Sequence, residues 1–490
     1  MIHANDDHVE ASTDSVGGAI GILQRPRTRM IRTVVLVLGW VSMGLFSEIT
    51  GPTLPYLKRH VSSNYEEIAR AMMARSVGFL VGTLSGGLLC EWYTIYVDVW
   101  LAFSLAVAAI ATAVVPWCHS LTLLAALLCT DGFGKGILAA GGNAFMIRMW
   151  GVDAAVPVHA LHTAFGIGAL LAPQLARPFL GTIPEDNNNN NNVSVVYIDN
   201  TSYTAVLSNS TSYDTNPAVI EYPYSIISAF TLFVAAIFIL LYCFAPIRQE
   251  APHKRSGNHA VTPSLWLGGK KRLGYAVLGL LFFLCMFPVG MERAYGRFLF
   301  SLSVTGRLKL SPADGTLLES AFWASFTSGR LLVTVAATRV SQIKLILIEL
   351  SVNIVATTAL VTYGQASGPL LAVFSALFAA GMAPLHPSVL AWLNLYVEVT
   401  AMLTCMTFFS CACGAFVYSW LAGYLFQYEG PDSLLYFMLA STCVCVMIFA
   451  PLYFSAVRYE RDSRHRRGVC ETKVTECDEM READTGRTKM

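Results

Sequence analysis

The feature that most constrains the fold is a regular succession of apolar blocks, each about 20 residues long. An α-helix of that length rises about 30 Å, which matches the hydrocarbon thickness of a bilayer. The chain has 490 residues, of which 54% are hydrophobic and only 13% charged, too few charges for the surface of a soluble protein. The blocks predict twelve transmembrane helices, at residues 32–55, 70–90, 97–117, 122–147, 157–180, 223–246, 273–298, 315–337, 343–364, 369–394, 400–426 and 433–456. The sequence therefore predicts an all-α, multi-pass membrane protein.

Basic residues indicate how the helices are oriented. They cluster before the first predicted helix, between the sixth and the seventh, and after the twelfth. Cytoplasmic segments carry an excess of Lys and Arg, so both termini are expected in the cytoplasm. The loop 181–222 then lies outside, and it carries three N-x-S/T sequons, at Asn192, Asn200 and Asn209. The prediction is a glycosylated protein of the plasma membrane.

The predicted helices divide into two sets of six, and short sequences recur between the sets. "FLVG" ends at Gly82 and "FTSG" at Gly329, an offset of 247 residues. Gly168-Ala169 recurs as Gly414-Ala415, an offset of 246 residues. A duplicated six-helix unit with a central site is a common plan among transporters. The predicted parts are a cytoplasmic tail, a first bundle that contains the external loop, a cytoplasmic linker, a second bundle and a second cytoplasmic tail, at residues 1–30, 31–246, 247–271, 272–457 and 458–490.

Several classes of function are disfavoured by the sequence. It contains no G-x-x-x-x-G-K-[ST] loop and no soluble stretch long enough to hold a nucleotide, which argues against an ATP-driven pump. No basic patch with interleaved aromatic residues suggests nucleic acid. Nearly all of the twelve cysteines fall in apolar blocks, without histidines at zinc-site spacing. We therefore expect no metal site, no cofactor, no enzymatic activity and no obligate protein partner.

Six motifs, in order along the predicted helices, resemble those of the major facilitator superfamily. They are "GPTL" at 51–54, "GGN" ending at Asn143, "HTAFGIGALLAPQLARPFL" at 162–180, "VGMERAYG" at 289–296, "SAFWASFTSGRL" at 320–331 and "GMAPLHPS" at 381–388. Within the superfamily they are most similar to the sodium-dependent glucose transporter 1 and major facilitator domain-containing protein 4 group, distant relatives of the fucose permeases. The resemblance covers residues 31–457.

The resemblance implies a twelve-helix major facilitator fold, in which two pseudo-symmetric six-helix bundles rock around a central polar cavity. It implies a hexose such as glucose as substrate, co-transported with Na⁺ or H⁺. One departure bears on coupling. The fucose permeases carry an acid four residues before the helix 4 asparagine, and this position is Ala139 here. Proton coupling through that acid is therefore not expected.

Polar and aromatic residues within the apolar blocks are candidates for binding a sugar, which needs a ring for stacking and groups that bond its hydroxyls. We predict Asn143, Gln174 after the helix-opening Pro173, and Trp323 as ligands. Packing against a neighbouring helix is the alternative for Trp323. His162 and His386 are further candidates, although a lone histidine in an apolar helix is more often a packing residue.

Ionisable residues within membrane helices are costly and usually face a cavity or a partner. Asp131 and Lys135 lie one turn apart on one helix. This spacing predicts either a pair that neutralises itself so that the helix can insert, or a pair that is broken and remade during transport. Arg330 and Glu349 are at matched depths, which predicts a structural ion pair.

Two acids, Glu48 and Glu292, occupy similar positions in the two predicted halves, and counting from the basic flanks places both toward the outer edge of the membrane. Three interpretations of Glu292 stay open. In the first, Glu292 is a Na⁺ ligand beside carbonyls freed by Pro288. In the second, it pairs with Arg297 or another arginine to close a gate, and in the third it lies at a solvated helix end with no special role.

A second class of function is a sensor or scaffold that keeps the transporter fold without transporting. The short charged tail 458–490 holds no recognisable signalling domain, which argues mildly against it. A transporter of a different small polar solute is a further alternative.

Overall fold

The computed structural model describes residues 26–181, 218–247, 271–393 and 401–455. The three predicted glycosylation sites, most of the predicted linker and almost all of both predicted tails lie outside the described residues. Within them the chain is almost entirely helical.

The first half contains seven α-helices that make six crossings, because the first crossing is broken in two. The helices are α1 (Pro26–Glu48), α2 (Thr50–His60), α3 (Tyr65–Trp92), α4 (Val97–Val114), α5 (Leu121–Trp150), α6 (Ala155–Ala176) and α7 (Glu221–Phe244). The break between α1 and α2 is followed by Gly51 and Pro52. Proline has no N–H to donate to the carbonyl four residues earlier, which belongs to Glu48.

The described part of the second half also makes six crossings, but there the fourth crossing is the broken one. The helices of this half are α8 (Lys271–Thr305), α9 (Pro312–Ala336), α10 (Gln342–Tyr363), α11 (Gly368–Met382), α12 (Leu385–Leu393), α13 (Ala401–Tyr428) and α14 (Ser433–Ser455). The break between α11 and α12 falls at Ala383-Pro384. Pro288 lies within α8 but does not interrupt that helix.

Eleven helices in the described chain are long and apolar enough to cross a membrane. The predicted eighth span corresponds to α9, which is 25 residues long but carries several charged residues and is not among the eleven. The protein is therefore a multi-pass membrane protein, although apolar length alone does not give the full count of twelve.

Local sequence explains where individual helices begin. The Asn64 side chain accepts a 2.8 Å hydrogen bond from the backbone N–H of Glu67, whose carboxylate accepts from the Asn64 N–H. This capping box satisfies two N–H groups at the start of α3. Ser311 caps α9, and Pro312 takes the first helical position, where a missing N–H costs nothing. Both helices therefore have defined first turns.

Equivalent glycine contacts relate the two halves. Gly82 on α3 lies against the carbonyl of Phe133 on α5, and Gly329 on α9 lies against that of Ala380 on α11. The offset is 247 residues on both sides of each contact. Similarly, Gly168 packs on Gly44 and Gly414 packs on Gly290, with an offset of 246 residues. The sequence repeat is therefore also a repeat of helix packing, in which small residues let backbones approach closely.

The two halves meet mainly at one side of the bundle. We call the end where α1 begins and α3 ends the near side, and the opposite end the far side. Described hydrogen bonds, ion pairs, ring contacts and close glycine contacts between the halves lie at the far side or at mid-depth. At the far side, the Tyr65 ring packs on Phe426 at 4.6 Å, and the Gln427 side chain accepts from the Tyr65 N–H. The structure is therefore closed at the far side.

Candidate transport site

A chain of charged residues crosses the middle of the molecule. Arg293 on α8 donates to the Glu48 carboxylate on α1 at 2.6 Å, which joins the two halves. Its other terminal nitrogen lies 3.1 Å from Glu292, and Arg330 on α9 lies 3.7 Å from the second Glu292 oxygen. Both acids are almost fully buried, whereas the two arginine side chains are 15% and 25% exposed. The network is therefore partly exposed at its two arginine side chains and buried at its two carboxylates.

This geometry corrects the predicted depth of Glu292. The apolar block ends at residue 298, but α8 continues to Thr305 and Glu292 is buried. It is therefore neither at the helix end nor solvated. Arg297, the first partner considered, instead donates to the Ser419 hydroxyl at 2.7 Å. Of the three interpretations, the geometry favours the pairing of Glu292 with arginines, here Arg293 and Arg330.

The predicted pair of Arg330 with Glu349 is wrong. The Nε of Arg330 donates to the backbone carbonyl of Ala383 at 3.0 Å, beside the break between α11 and α12. Glu349 accepts a 2.7 Å hydrogen bond from the Ser388 hydroxyl on α12. Matched depth on neighbouring helices does not ensure that two side chains point toward each other, and here they point to different partners.

Asp131 and Lys135 do not neutralise each other directly. Asp131 pairs with Arg75 on α3 at 2.8 Å, and Lys135 donates to the Ser47 hydroxyl on α1 at 2.8 Å. Arg75 also donates to the Ser47 carbonyl at 3.0 Å. The single-helix pair predicted from spacing is thus replaced by bonds between helices, because buried charges find partners on the nearest helices.

Aromatic rings separate the charged network from the far-side contact. The ammonium of Lys135 lies 5.1 Å from the Phe165 ring centre, and the Arg293 guanidinium lies 5.5 Å from it. Trp323 meets Phe165 edge-on with 6.3 Å between ring centres, and it is fully buried. Trp323, predicted to bind the sugar, is therefore packed against Phe165 and is not exposed in this conformation.

The two candidate histidines face each other near Arg330. His162 on α6 is exposed although it lies within a membrane helix, and Arg330 and His386 are close enough to interact with it electrostatically. His386 on α12 is half-buried, and its Nε2 lies 3.4 Å from the Cys411 sulfur. These groups come from both halves and lie just on the near side of Phe165.

Asn143 and Gln174 are not brought to this cluster. The half-buried Asn143 amide donates to the Ala139 carbonyl on its own helix, and its oxygen has no hydrogen-bond partner in the described chain. Gln174 instead belongs to the far-side closure, where its amide donates to the Ser320 hydroxyl at 2.8 Å and to the Thr316 carbonyl at 3.3 Å. The structure thus assigns Gln174 a contact between the halves.

Sequence reasoning missed several residues of this region. Arg75 and Arg293 are buried or nearly so within membrane helices and bond across helices. Their signal was visible, because each is an ionisable residue inside an apolar block. Phe165 gave no such signal, since one phenylalanine in an apolar helix resembles any other.

Comparison with known proteins agrees with this architecture. No protein-family model matches the chain. A bacterial homologue of the human lysosomal transporter Spinster, in an inward-facing and unoccupied conformation, superposes with a TM-score of 0.57 at 13% identity, covering 90% of this chain and 98% of that one. The sodium-dependent glucose transporter 1A of Mus musculus is 28% identical over 428 residues, which cover 84% of this chain and 94% of that protein. The major facilitator superfamily domain-containing protein 4A of Danio rerio is 24% identical over 465 residues, covering 84% of this chain and 86% of that protein. The chain is related to these transport proteins and has the major facilitator fold.

This relationship accounts for the main features of the structure. The two halves, the packing repeat and the polar network between them are the parts expected of a major facilitator protein. The predictions of the superfamily and of a transport protein rather than an enzyme are confirmed by these relatives.

Proposed function

We propose that this chain is a secondary transporter that carries a hexose such as glucose across the membrane by alternating access. The observation that carries the proposal is the polar cluster between two halves that touch at the far side and at mid-depth. The names of the relatives, sodium-dependent glucose transporter 1 in particular, support a sugar as substrate. In this conformation the sugar would enter or leave from the near side.

The sugar site is placed on the near side of Phe165. His162, His386 and Arg330 offer hydrogen-bonding groups there, and the Phe165 ring offers a surface for the C–H face of a sugar. Asn143, on the same side of α5 as Lys135 but nearer the near side, is a further candidate. Trp323 would act indirectly, by holding Phe165 in place.

Coupling to Na⁺ or H⁺ is part of the proposal. The acids Glu48 and Glu292 are the central carboxylates, and both are held by arginines in this structure. Glu48 accepts from one guanidinium group and Glu292 lies beside two, which leaves both carboxylates little capacity for a cation. The pairing therefore favours a gating role for both acids over direct Na⁺ coordination.

Uptake of labelled glucose into proteoliposomes, with and without a Na⁺ or pH gradient, tests the proposal. We expect saturable uptake that excess unlabelled hexose suppresses. Phe165→Ala should raise the half-saturating sugar concentration, because the ring contact is lost, whereas Phe103→Ala, at an exposed ring on α4, should not. Absence of uptake by well-folded protein for every hexose tried would favour the sensor or another polar solute.

The proposed location is the plasma membrane, with the near side and both termini in the cytoplasm. The basic flanks and the sequons at Asn192, Asn200 and Asn209 support this orientation. Enzymatic deglycosylation should increase the gel mobility of protein made in animal cells. An epitope within 247–271 that binds antibody on intact cells would contradict the orientation.

The alternative function is a sensor or scaffold. It shares the fold, but it does not require the halves to exchange contacts during a cycle. Trapping the far-side contact with a cross-link should abolish transport, and it should leave a purely scaffolding role intact.

A further inference from the structure

One buried acid takes no part in the central network. Glu319 on α9 is fully buried, and neither carboxyl oxygen has a well-formed hydrogen bond in the described chain. The carboxyl group lies directly against Gly51 of α2, where an added Cβ would collide with its Oε1 atom. Glu319 is therefore enclosed where the two halves meet.

Glu319 also lacks a cation. Charged groups on the helices packed around it include Glu292, Arg293 and Arg297 on α8, and Lys58 and Arg59 at the far end of α2. Three of these are committed elsewhere: Glu292 and Arg293 belong to the central network, and Arg297 bonds Ser419. Among the charged groups of the described chain, the one whose field acts on Glu319 is Glu48 on α1, which has the same sign.

The remaining neighbours, on α6, on α11 and in the turn Arg177–Phe179, do not supply a counter-charge, since Arg177 is exposed to solvent and does not act on Glu319. Gln174 on α6 bonds Ser320 and Thr316, and His162 lies on the near side by Arg330. Helix α11 has no charged residue. The indole N–H of Trp323, one turn along α9, is near Glu319 but forms no well-aligned bond. One weak donor does not replace the water that a carboxylate loses on burial.

We propose that the far-side contact closes over Glu319 only after its carboxylate has taken up a proton from the far-side solution. The carboxylate and the proton form the neutral acid, and no other bond changes. An ionised Glu319 would be enclosed with no cation and only one poorly aligned donor, so it favours the open far side, where water reaches it. This proposal rests on alternating access, the first part of the proposed function, and makes Glu319 the residue that couples the cycle to far-side acidity.

The experiment measures opening directly and needs no substrate. Ser320→Cys places a thiol at the closed contact, because Ser320 is buried and bonds across the halves. Purified full-length protein carrying this change is treated with a maleimide reagent from mildly acidic to mildly alkaline pH. Protein with the native Ser320 gives the background from other cysteines. Because thiols themselves react faster as pH rises, each rate is divided by that of the Ser320→Cys, Glu319→Gln protein.

The corrected labelling rate should rise with pH by up to about tenfold per unit across the titration of Glu319, since one proton is released on opening. Glu319→Gln mimics the neutral acid, so the uncorrected rate of this reference protein should rise with pH only as its thiol ionises. Glu319→Asp should keep a pH response. Glu349→Gln, which removes a buried acid that does not touch the other half, should respond as the parent does.

Three results would overturn the proposal. They are a corrected rate that does not change with pH, an equal loss of the response in Glu349→Gln, and a response to replacing choline by Na⁺ at constant pH in place of a response to pH. Labelling that follows the prediction in a protein that moves no sugar would refute the proposed substrate and leave the role of Glu319 standing.

Discussion

Arg293 on α8 and Glu48 on α1 form a 2.6 Å ion pair that joins the two halves of the molecule at mid-depth. The same guanidinium also contacts Glu292, so one cation serves an acid from each half. An ion pair between moving bodies can stabilise one arrangement and be released in the other. Glu48 and Arg293 are therefore suited to hold the far-side-closed state.

Removing Arg293 should be more harmful than removing the whole pair. Arg293→Gln leaves Glu48 buried without its ion-pair partner, which costs about 3–5 kcal/mol for buried pairs. The Glu48→Gln, Arg293→Gln double variant leaves no unpaired charge across this contact and should regain part of the loss. Thermal unfolding in detergent measures both effects. Additive losses in the double variant would show that the two side chains are not coupled.

Glu349 should depend on Ser388 and not on Arg330. Ser388→Ala removes the described hydrogen bond to Glu349 and should destabilise the protein by about 1 kcal/mol. Exchanging the charges, as Arg330→Glu with Glu349→Arg, should not restore the stability lost in either single reversal. Thermal unfolding of the four proteins decides the matter, and rescue by the double reversal would restore the pair predicted from sequence.

Three glycines should respond differently to the same added methyl group. Gly78→Ala pushes against the Cys129 carbonyl within the first half and should destabilise the protein by about 1–3 kcal/mol. Gly423→Ala meets Ala69 across the halves, so it should mainly open the far side. Gly87→Ala is the control, because nothing lies within 4 Å of the added atom.

Thermal unfolding and Ser320→Cys labelling separate these effects. Gly78→Ala should lower the unfolding temperature, Gly423→Ala should raise labelling, and Gly87→Ala should do neither. Equal behaviour of Gly78→Ala and Gly423→Ala would mean that the halves do not move independently.

Gln174 should act on the gate more than on the sugar. Gln174→Ala removes two hydrogen bonds across the halves and should therefore increase far-side opening. Single-molecule fluorescence should show this as a shorter lifetime of the far-side-closed state. Thr163→Ala, which loses only a bond within its own helix, is the matched control. A raised half-saturating sugar concentration with unchanged opening would return Gln174 to the sugar site.

The sequence by itself determined the membrane class, the order of the helices and the internal repeat. Apolar length and basic flanks are read from consecutive residues, and the glycine recurrences at Gly82 and Gly168 mark packing positions that recur in the second half. The family resemblance also follows from local motifs, because each motif lies within one helix or its end.

Only the tertiary structure decided which charges meet. Asp131 pairs with Arg75 and not with Lys135. Arg330 lies beside Glu292 and not beside Glu349. Glu319 is enclosed against Gly51. Spacing along a helix gives depth and approximate direction, but a partner on another helix depends on how the helices rotate and pack. Inside a membrane, a charged side chain has possible partners on several helices, and which partner it pairs with is determined only when all the helices have packed.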